Sequence, residues 1–275
     1  MAYAQNLMLA LFISFTFVST SFSQSILGIT PEILQLLTIN RHRKIPKDNN
    51  NALYCESWRF TVETNDAGFW ALIPERCASF VQDYMNGDRY SSDCGAVADL
   101  SLAFANTVKV SNDGKDAWVF DIDETLLSNL PYYVTHGFGS EIFDEIAFDK
   151  WVNEAEAPAI PASLKLYKEL QQRGFKIFLL TGRSEFQRNY TEKNLVYAGY
   201  SNWEKLILRG PSDKSKLATQ YKSEKRKELE DEGYRIHGSS GDQWSDLNGF
   251  AVAKRNAGES CIWDKPAFPI LVLTG

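Results

Sequence analysis

From residue 117 onward, short apolar runs alternate with stretches of helical pattern, and this alternation limits the fold more than any other feature of the sequence. Strands that alternate with helices of about 10 to 15 residues predict a parallel sheet with helices on both faces. The fold class is therefore expected to be α/β. The expected strands cover residues 117–120, 175–180, 206–208 and 234–236, and the expected helices cover residues 162–173, 185–197 and 223–232.

Polar side chains follow three of these strands at the point where each strand ends. Right-handed crossovers bring the carboxyl ends of parallel strands to one edge of the sheet, where ligands bind. Acidic residues gathered there repel one another unless a divalent cation lies between them, and oxygen ligands without Cys or His favour Mg²⁺. The residues brought together are Asp121 and Asp123 after the first run, Thr181 and Gly182 after the second, and Asp242 and Asp246 after the last.

Each of these residues also has an ordinary structural explanation. An Asp-x-Asp pair after a strand often forms a turn or caps a helix, and Thr181 could cap the helix that follows it. Asp242 and Asp246 could be solvated acids of a loop. Because all of them fall at strand ends and on one edge, a functional site is the better interpretation.

Composition excludes several classes of protein. The 275 residues are 44% hydrophobic and include 17 Phe, 12 Tyr and 7 Trp, which is too apolar for a disordered chain. The formal net charge of −6 lacks the basic footprint of a nucleic-acid binder, so no nucleic-acid partner is expected.

The first 23 residues are typical of a signal peptide. Residues 7–18 form an apolar run that is too short to span a bilayer, and the small residues Ser21 and Ser23 flank Phe22. A retained membrane anchor is the alternative. We expect a secreted chain that starts near Gln24 without a membrane segment, with a mobile arm over residues 24–50 and a single domain over residues 51–275.

Secretion permits disulfides, so the four cysteines are candidates for pairing. Cys55, Cys77, Cys94 and Cys261 allow three pairings, and their spacing alone selects none of them. No clustered Cys and His spacing predicts a zinc site. The triplet that starts at Asn189 and ends at Thr191 is an acceptor for N-glycosylation.

Several segments carry a resemblance to a known family. Residues 119–129 (VFDIDETLLSN) resemble the first motif of the haloacid dehalogenase-like phosphatases, residues 179–183 (LLTGR) the second, and residues 241–246 (GDQWSD) the fourth. Residues 129–133 (NLPYY) and 221–226 (YKSEKR) are similar to plant acid phosphatases and vegetative storage proteins.

The likeness runs from about residue 55 to residue 250, and the tail after it matches nothing in that family. It implies a Rossmann-like parallel sheet of haloacid dehalogenase type, with a small cap insertion and an N-terminal extension ahead of a catalytic core from about residue 117. Cys55 and Cys77 have counterparts in the family, which implies that these two cysteines form the disulfide.

The resemblance also implies a reaction. Asp121 would take the phosphoryl group as an aspartyl-phosphate, and Asp123 would protonate the leaving group and later deprotonate water. Mg²⁺ would be held by Asp121, by the backbone carbonyl of Asp123 and by Asp242, with Asp246 nearby.

In the family, a hydroxyl, backbone amides and a lysine hold the phosphoryl oxygens. Thr181 and Gly182 would supply the hydroxyl and an amide. Lys222 is selected as the lysine because it directly precedes the helix expected over residues 223–232, whose N-terminus favours phosphate. The other candidates are Lys214, Lys216 and Lys225.

Two functions remain, and they belong to different classes. The first is an acid phosphatase acting on small phosphate monoesters, and the second is a vegetative storage protein with weak activity or none. Retention of a carboxylate at position 121 favours the enzyme. The sequence does not distinguish delivery to the vacuole from delivery to the cell wall. It also does not distinguish a homodimer from a monomer.

Overall fold

The computed structural model describes residues 47–64 and 72–249, and a parallel sheet lies at the centre of the second range. The signal peptide expected over residues 1–23, most of the expected arm, Cys261 and the C-terminal tail lie outside the described residues. Within the described part, the strands are β1 (Asp116–Phe120), β2 (Lys176–Ser184), β3 (Lys205–Arg209) and β4 (Arg235–Ser240), arranged in the order β3-β2-β1-β4.

Helices precede the sheet and connect its strands. Before β1 lie α1 (Lys47–Glu63), α2 (Ala78–Asn86) and α3 (Asp88–Ala105), and between β1 and β2 lie α4 (Leu130–Val134), α5 (Glu145–Glu154) and α6 (Pro161–Gln172). After β2 lie α7 (Arg188–Tyr197) and α8 (Ala218–Asp231). The segment 130–160, which contains α4 and α5, is called the insertion below.

The two faces of the sheet bury alternate residues of each strand, as the two-residue period of a strand requires. Trp118 and Phe120 of β1 face a core cluster that includes Leu166 and Leu170 of α6. α3 packs on α6 and contributes Ala98 and Ala105 to the same cluster. Ala117 and Val119 face the opposite cluster with α8. The predicted α/β class, with helices on both faces of a parallel sheet, is confirmed.

Three elements differ from the sequence expectation. β2 continues to Ser184 and β4 to Ser240, so Thr-Gly-Arg-Ser and His-Gly-Ser-Ser form strand rather than loop. These ends are polar and carry no apolar pattern. The end of β4 is held extended by pairing with β1 as far as Ser240, and β2 pairs again with β3 at Ser184 after a break in register. α8 begins at Ala218, five residues before the expected start, and of its first four residues only Tyr221 is buried, which leaves no apolar period to mark that start.

The N-terminal helices form a separate apolar cluster around a disulfide. Cys55 of α1 is bonded to Cys77, the pair that the family resemblance implies, and both side chains are fully buried. Cys94 of α3 is buried as a free thiol.

α1 begins at Lys47, so the last four residues of the mobile arm expected over residues 24–50 are helical. Among the described helices, none is both long and apolar enough to cross a membrane.

The strand order places a topological switch beside β1. The chain passes from β1 to β2 and then β3 on one side, and it returns to add β4 on the other side of β1. In parallel sheets of this kind, ligands bind outside the carboxyl ends of the strands at the point where the order reverses. The segments that follow β1 and β4 therefore define where a site is expected.

Candidate active site

Asp121 and Lys222 form a buried ion pair at the switch point. Asp121 directly follows β1, and its backbone N–H donates to the Ser240 carbonyl at the end of β4 at 2.9 Å. Lys222 Nζ donates to Asp121 Oδ1 at 2.8 Å and also to Asp246 Oδ1. The three side chains are each at most 7% exposed, so water screens their charges weakly.

The second range of the structure brings three acids around one lysine. Asp121, Asp242 and Asp246 each offer a carboxylate oxygen, and these oxygens lie within 4.8 Å of one another. Burial raises the pKa of Asp121 to about 7 in spite of Lys222, and burial beside Asp121 and Asp246 raises the pKa of Asp242 well above its usual range. Three carboxylates around one ammonium group leave negative charge to be balanced, and they could bind one metal ion.

Gly241 allows the last acid to approach this closely. A Cβ atom at position 241 would come within 2.2 Å of the Asp246 side chain, a distance that no real contact allows. Asp246 Oδ2 also accepts the Gln243 N–H at 3.0 Å, which caps the start of the short 3₁₀ turn Trp244–Asp246. Arg226 donates to the Asp246 carbonyl at 2.6 Å from α8. The loop after β4 is therefore fixed from both sides.

Asp123 has different surroundings, with a guanidinium group as its main partner. Arg183 of β2 binds it through Nη2 to Oδ1 at 2.7 Å and through Nε to Oδ2 at 2.9 Å, and Asn129 Nδ2 donates to Oδ1 at 2.9 Å. Burial acts to raise the pKa of Asp123, but the charge and hydrogen bonds of Arg183 together with Asn129 hold the pKa below its usual range.

Glu124 lies at a turn of the chain within the motif of residues 119–129, between the Asp121 and Asp123 pair and Asn129. It adopts a left-handed backbone conformation with φ of 53°, which is uncommon outside glycine. Its carboxyl accepts the Asn129 backbone N–H at 2.6 Å, and burial raises its pKa to about 8. A strained residue beside charged groups is typical of a functional segment.

Two of the proposed phosphate-binding residues lie on the polar extension of β2. Thr181 is fully buried, and its hydroxyl accepts the backbone N–H of Arg183 at 3.1 Å. Gly182 is exposed, and a Cβ atom there would meet nothing within 4 Å. The backbone at position 182 is thus accessible from outside.

Lys222 lies at the acidic cluster, but not at the helical position expected for it. It is the fifth residue of α8 rather than the residue before the helix. The other three candidate lysines have different partners or none described. Lys216 pairs with Asp213 and Glu224, Lys225 pairs with Glu228, and Lys214 is exposed.

The acceptor triplet lies at the start of α7. Asn189 is exposed, whereas Thr191 is fully buried and its hydroxyl accepts a hydrogen bond from Arg183 Nη1 at 3.2 Å. Arg183 thus connects the triplet to Asp123. Sequence reasoning assigned roles to neither Arg183 nor Asn129, although both stand inside the quoted motifs, and it did not single out Trp151, which binds Asn129.

A parallel sheet covered by helices, with a buried acidic group at its switch point, defines an α/β protein with a ligand site at the strand ends, and comparison with known families identifies it further. The model of the acid phosphatases of the haloacid dehalogenase superfamily, subfamily IIIB, matches residues 41–263. The chain belongs to this family. The predictions of the family, the fold type and an acid phosphatase are confirmed, and the match extends beyond the expected limits of 55 and 250.

Curated relatives include both functions that the sequence left open. Acid phosphatase 1 of Solanum lycopersicum is 52% identical over 76% of this chain and 82% of its own length. Vegetative storage protein 2 of Arabidopsis thaliana is 36% identical over 72% of this chain and 75% of its own length. Among solved structures, a class C acid phosphatase from Bacillus anthracis with tungstate bound is 27% identical, with a TM-score of 0.54 over 64% of this chain and 73% of that one.

Proposed function

We propose that this protein is an active acid phosphatase that hydrolyses small phosphate monoesters through an aspartyl-phosphate on Asp121. The observation that carries the proposal is the hydrogen bond of Lys222 to both Asp121 and Asp246 at the end of the central strand. A carboxylate with an adjacent ammonium group can attack phosphorus while the ammonium group balances charge on the phosphoryl oxygens.

Asp121 and Asp123 take different roles because their partners differ. Asp121 Oδ1 is held by Lys222, and an Asp121 oxygen forms the bond to phosphorus as the ester P–O bond breaks. The negative charge of the bound phosphate favours the protonated form of Asp123 against the effect of Arg183, and Asp123 gives this proton to the departing oxygen of the substrate. In the second half of the reaction Asp123 takes a proton from water as the water oxygen bonds to phosphorus. The P–O bond to Asp121 then breaks, which releases phosphate and restores the Asp121 carboxylate.

The acidic group fits a divalent cation. The group offers only oxygen ligands. Its three carboxylates are paired with one lysine, Lys222, so negative charge remains in excess. Among the described residues, none donates a hydrogen bond to the Asp242 carboxylate. Mg²⁺ is the ion that such ligands favour. Asp121, Asp242 and the backbone carbonyl of Asp123 would hold it with Asp246 nearby, since the Asp123 carboxylate is bound to Arg183. The ion would supply positive charge for the phosphoryl oxygens.

The phosphoryl group is proposed to lie between Lys222 and the polar end of β2. Thr181 would donate its hydroxyl hydrogen and Gly182 its backbone N–H to phosphoryl oxygens. The accessible backbone at Gly182 supports this assignment, because a side chain there would stand between the solvent and the strand end.

The alternative is a storage protein on the same fold, which the likeness to vegetative storage protein 2 favours. Hydrolysis of an aryl phosphate by the purified protein, with and without Mg²⁺, decides between them. Asp121→Asn should abolish turnover and leave the fold intact, whereas Asp99→Asn, a change in an exposed ion pair on α3, should leave turnover unchanged. Undiminished activity of Asp121→Asn, or no activity in the unaltered protein, would contradict the proposal.

We further propose that the chain enters the secretory pathway and is delivered to the vacuole or the cell wall. The Cys55–Cys77 disulfide supports an oxidising compartment, and one relative is named as a stem glycoprotein of Glycine max. N-terminal sequencing of the mature protein should begin near Gln24, and peptide mapping tests for a glycan on Asn189. A mature protein that retains residues 1–23 would contradict this route.

A further inference from the structure

Asn129 connects the insertion to Asp123. Its side chain is buried, and its Nδ2 group donates to Asp123 Oδ1 at 2.9 Å. Its Oδ1 atom accepts the indole N–H of Trp151 at 2.9 Å, and Trp151 belongs to α5 of the insertion. A chain of two hydrogen bonds therefore runs from α5 to the carboxylate of Asp123.

The chemistry of the indole determines which way the amide of Asn129 faces. An indole N–H can only donate, so the amide oxygen must face Trp151 and the amide nitrogen must face Asp123. Without the indole N–H, the amide could turn and present its oxygen to the carboxylate, which is repulsive. Trp151 thus selects the orientation in which Asn129 can donate to Asp123.

The two oxygens of Asp123 are held unequally. Oδ1 accepts from Asn129 Nδ2 at 2.9 Å, from Arg183 Nη2 at 2.7 Å and from Arg183 Nε at 3.2 Å. Oδ2 accepts only from Arg183 Nε, at 2.9 Å, among the described residues. Oδ1 is the anchored oxygen, and Oδ2 is the oxygen with capacity to carry a proton to a leaving group.

α5 is itself fixed in place, so Trp151 has a rigid base. Asp144 caps its N-terminus by accepting the N–H groups of Ile146 and Ala147, both at 3.0 Å. Asp149 on the same helix accepts from Gln187 Nε2 at 2.8 Å, which connects α5 to the segment after β2. A residue on such a helix can hold a neighbouring amide within the tolerance that catalysis requires.

We propose that Trp151 is a positioning residue for phosphoryl transfer, acting through Asn129 to hold Asp123 so that Oδ2 reaches the leaving-group oxygen. The inference rests on the proposed role of Asp123 as the general acid. It assigns to the insertion a part in the chemistry that is independent of any contact with substrate.

The test compares substrates whose leaving groups need a proton to different degrees. Loss of general acid assistance slows the departure of an alkoxide from an alkyl phosphate far more than the departure of 4-nitrophenolate. The first half of the reaction is reported by kcat/KM. We expect Trp151→Phe, which keeps the ring and removes the N–H, to lower kcat/KM about tenfold for an alkyl phosphate and about twofold or less for 4-nitrophenyl phosphate.

Three further variants make the result specific. Trp203→Phe changes a tryptophan that packs against the core before β3 and should leave both substrates unaffected. Asp123→Asn should show the same dependence on leaving group with a larger loss. In an Asn129→Ala background, Trp151→Phe should have no further effect, because its action passes through the missing amide.

The outcomes separate this inference from the function on which it rests. Equal losses for the two substrates in Trp151→Phe, or additive losses in the double variant, would show that Trp151 only supports the fold and would overturn the inference. If Asp123→Asn shows no dependence on leaving group, the general acid assignment fails, and the inference fails with it.

Discussion

An ion-pair network at the end of the sheet opposite the active site has a testable influence on stability. Asp116, the first residue of β1, is almost fully buried and accepts hydrogen bonds from the Ser111 backbone N–H at 2.6 Å and from Arg235 Nε at 2.9 Å. His237 Nε2 lies 2.6 Å from the same carboxylate. Arg235 and His237 belong to β4, so this carboxylate connects the two strands that border the switch point.

The direction of the pH effect follows from the pKa of this group. The hydrogen bond from Arg235, followed by smaller contributions from Ser111 and His237, holds the pKa of Asp116 well below its usual range in spite of burial. In the unfolded chain the pKa of an aspartate is about 3.9. The folded state therefore binds fewer protons than the unfolded state, and the stabilisation is present above about pH 4 and is lost as the pH falls further.

Replacing the carboxylate with an amide removes the charge and keeps one acceptor. We expect Asp116→Asn to lower the free energy of unfolding by about 2 kcal/mol at pH 7, less than for a fully buried pair because Arg235 is 43% exposed. For a domain of this size that corresponds to a decrease in Tm of roughly 4 to 8 °C. Asp113 binds the same arginine from an exposed position, so Asp113→Asn is the matched control and should change stability far less.

Urea unfolding of both variants and the unaltered protein measures this effect. The stability difference caused by Asp116→Asn should be constant between pH 5 and pH 7. It should decrease by about 1 kcal/mol for each pH unit below about pH 4. Equal effects of the two substitutions, or a difference that grows as the pH falls, would refute the reasoning.

Three more substitutions test the site and the disulfide. Asp242→Asn should raise the Mg²⁺ concentration needed for half-maximal activity at least about tenfold, and an unchanged dependence would move the metal site elsewhere. Gly241→Ala should lower activity by about 100-fold, because its methyl group would displace Asp246, and activity within twofold would mean that the loop adapts. Replacing Cys55 and Cys77 with alanine should cost about 3 kcal/mol in urea unfolding, since the bond closes a separation of 22 residues, and unchanged stability would contradict that estimate.

The positions of the acidic site residues could be predicted from the sequence because these residues come just after the strands, which begin as apolar runs. Asp121 comes directly after Phe120, and Asp242 comes two residues after Ser240, so the rule that parallel strands end at one edge was enough to bring these acids together. The extension of β2 to Ser184 could not be recognised, because polar residues at a strand end carry no apolar signal.

Other parts of the site depend on contacts between distant segments. In the first turn of α8 only Tyr221 is buried, and one apolar residue makes no period. The sequence therefore did not mark the true start of α8 or the helical position of Lys222. Trp151 is 22 residues away from Asn129, and one sequence gives no sign that an indole and an amide meet across that interval. Arg183 stands inside a quoted motif, and its partner Asp123 lies 60 residues earlier.

The burial of Thr191 sets an order of events in the biosynthesis of this protein. An enzyme that glycosylates Asn189 must bind the hydroxyl two residues later, and in the folded chain that hydroxyl lies on the buried face of α7 and is hydrogen-bonded to Arg183. The acceptor triplet is therefore accessible to that enzyme only before α7 packs against β2. Any glycan found on Asn189 would have been attached to the nascent chain before this segment folded. The fraction of molecules that carry it would increase with the time that this segment remains unfolded after synthesis.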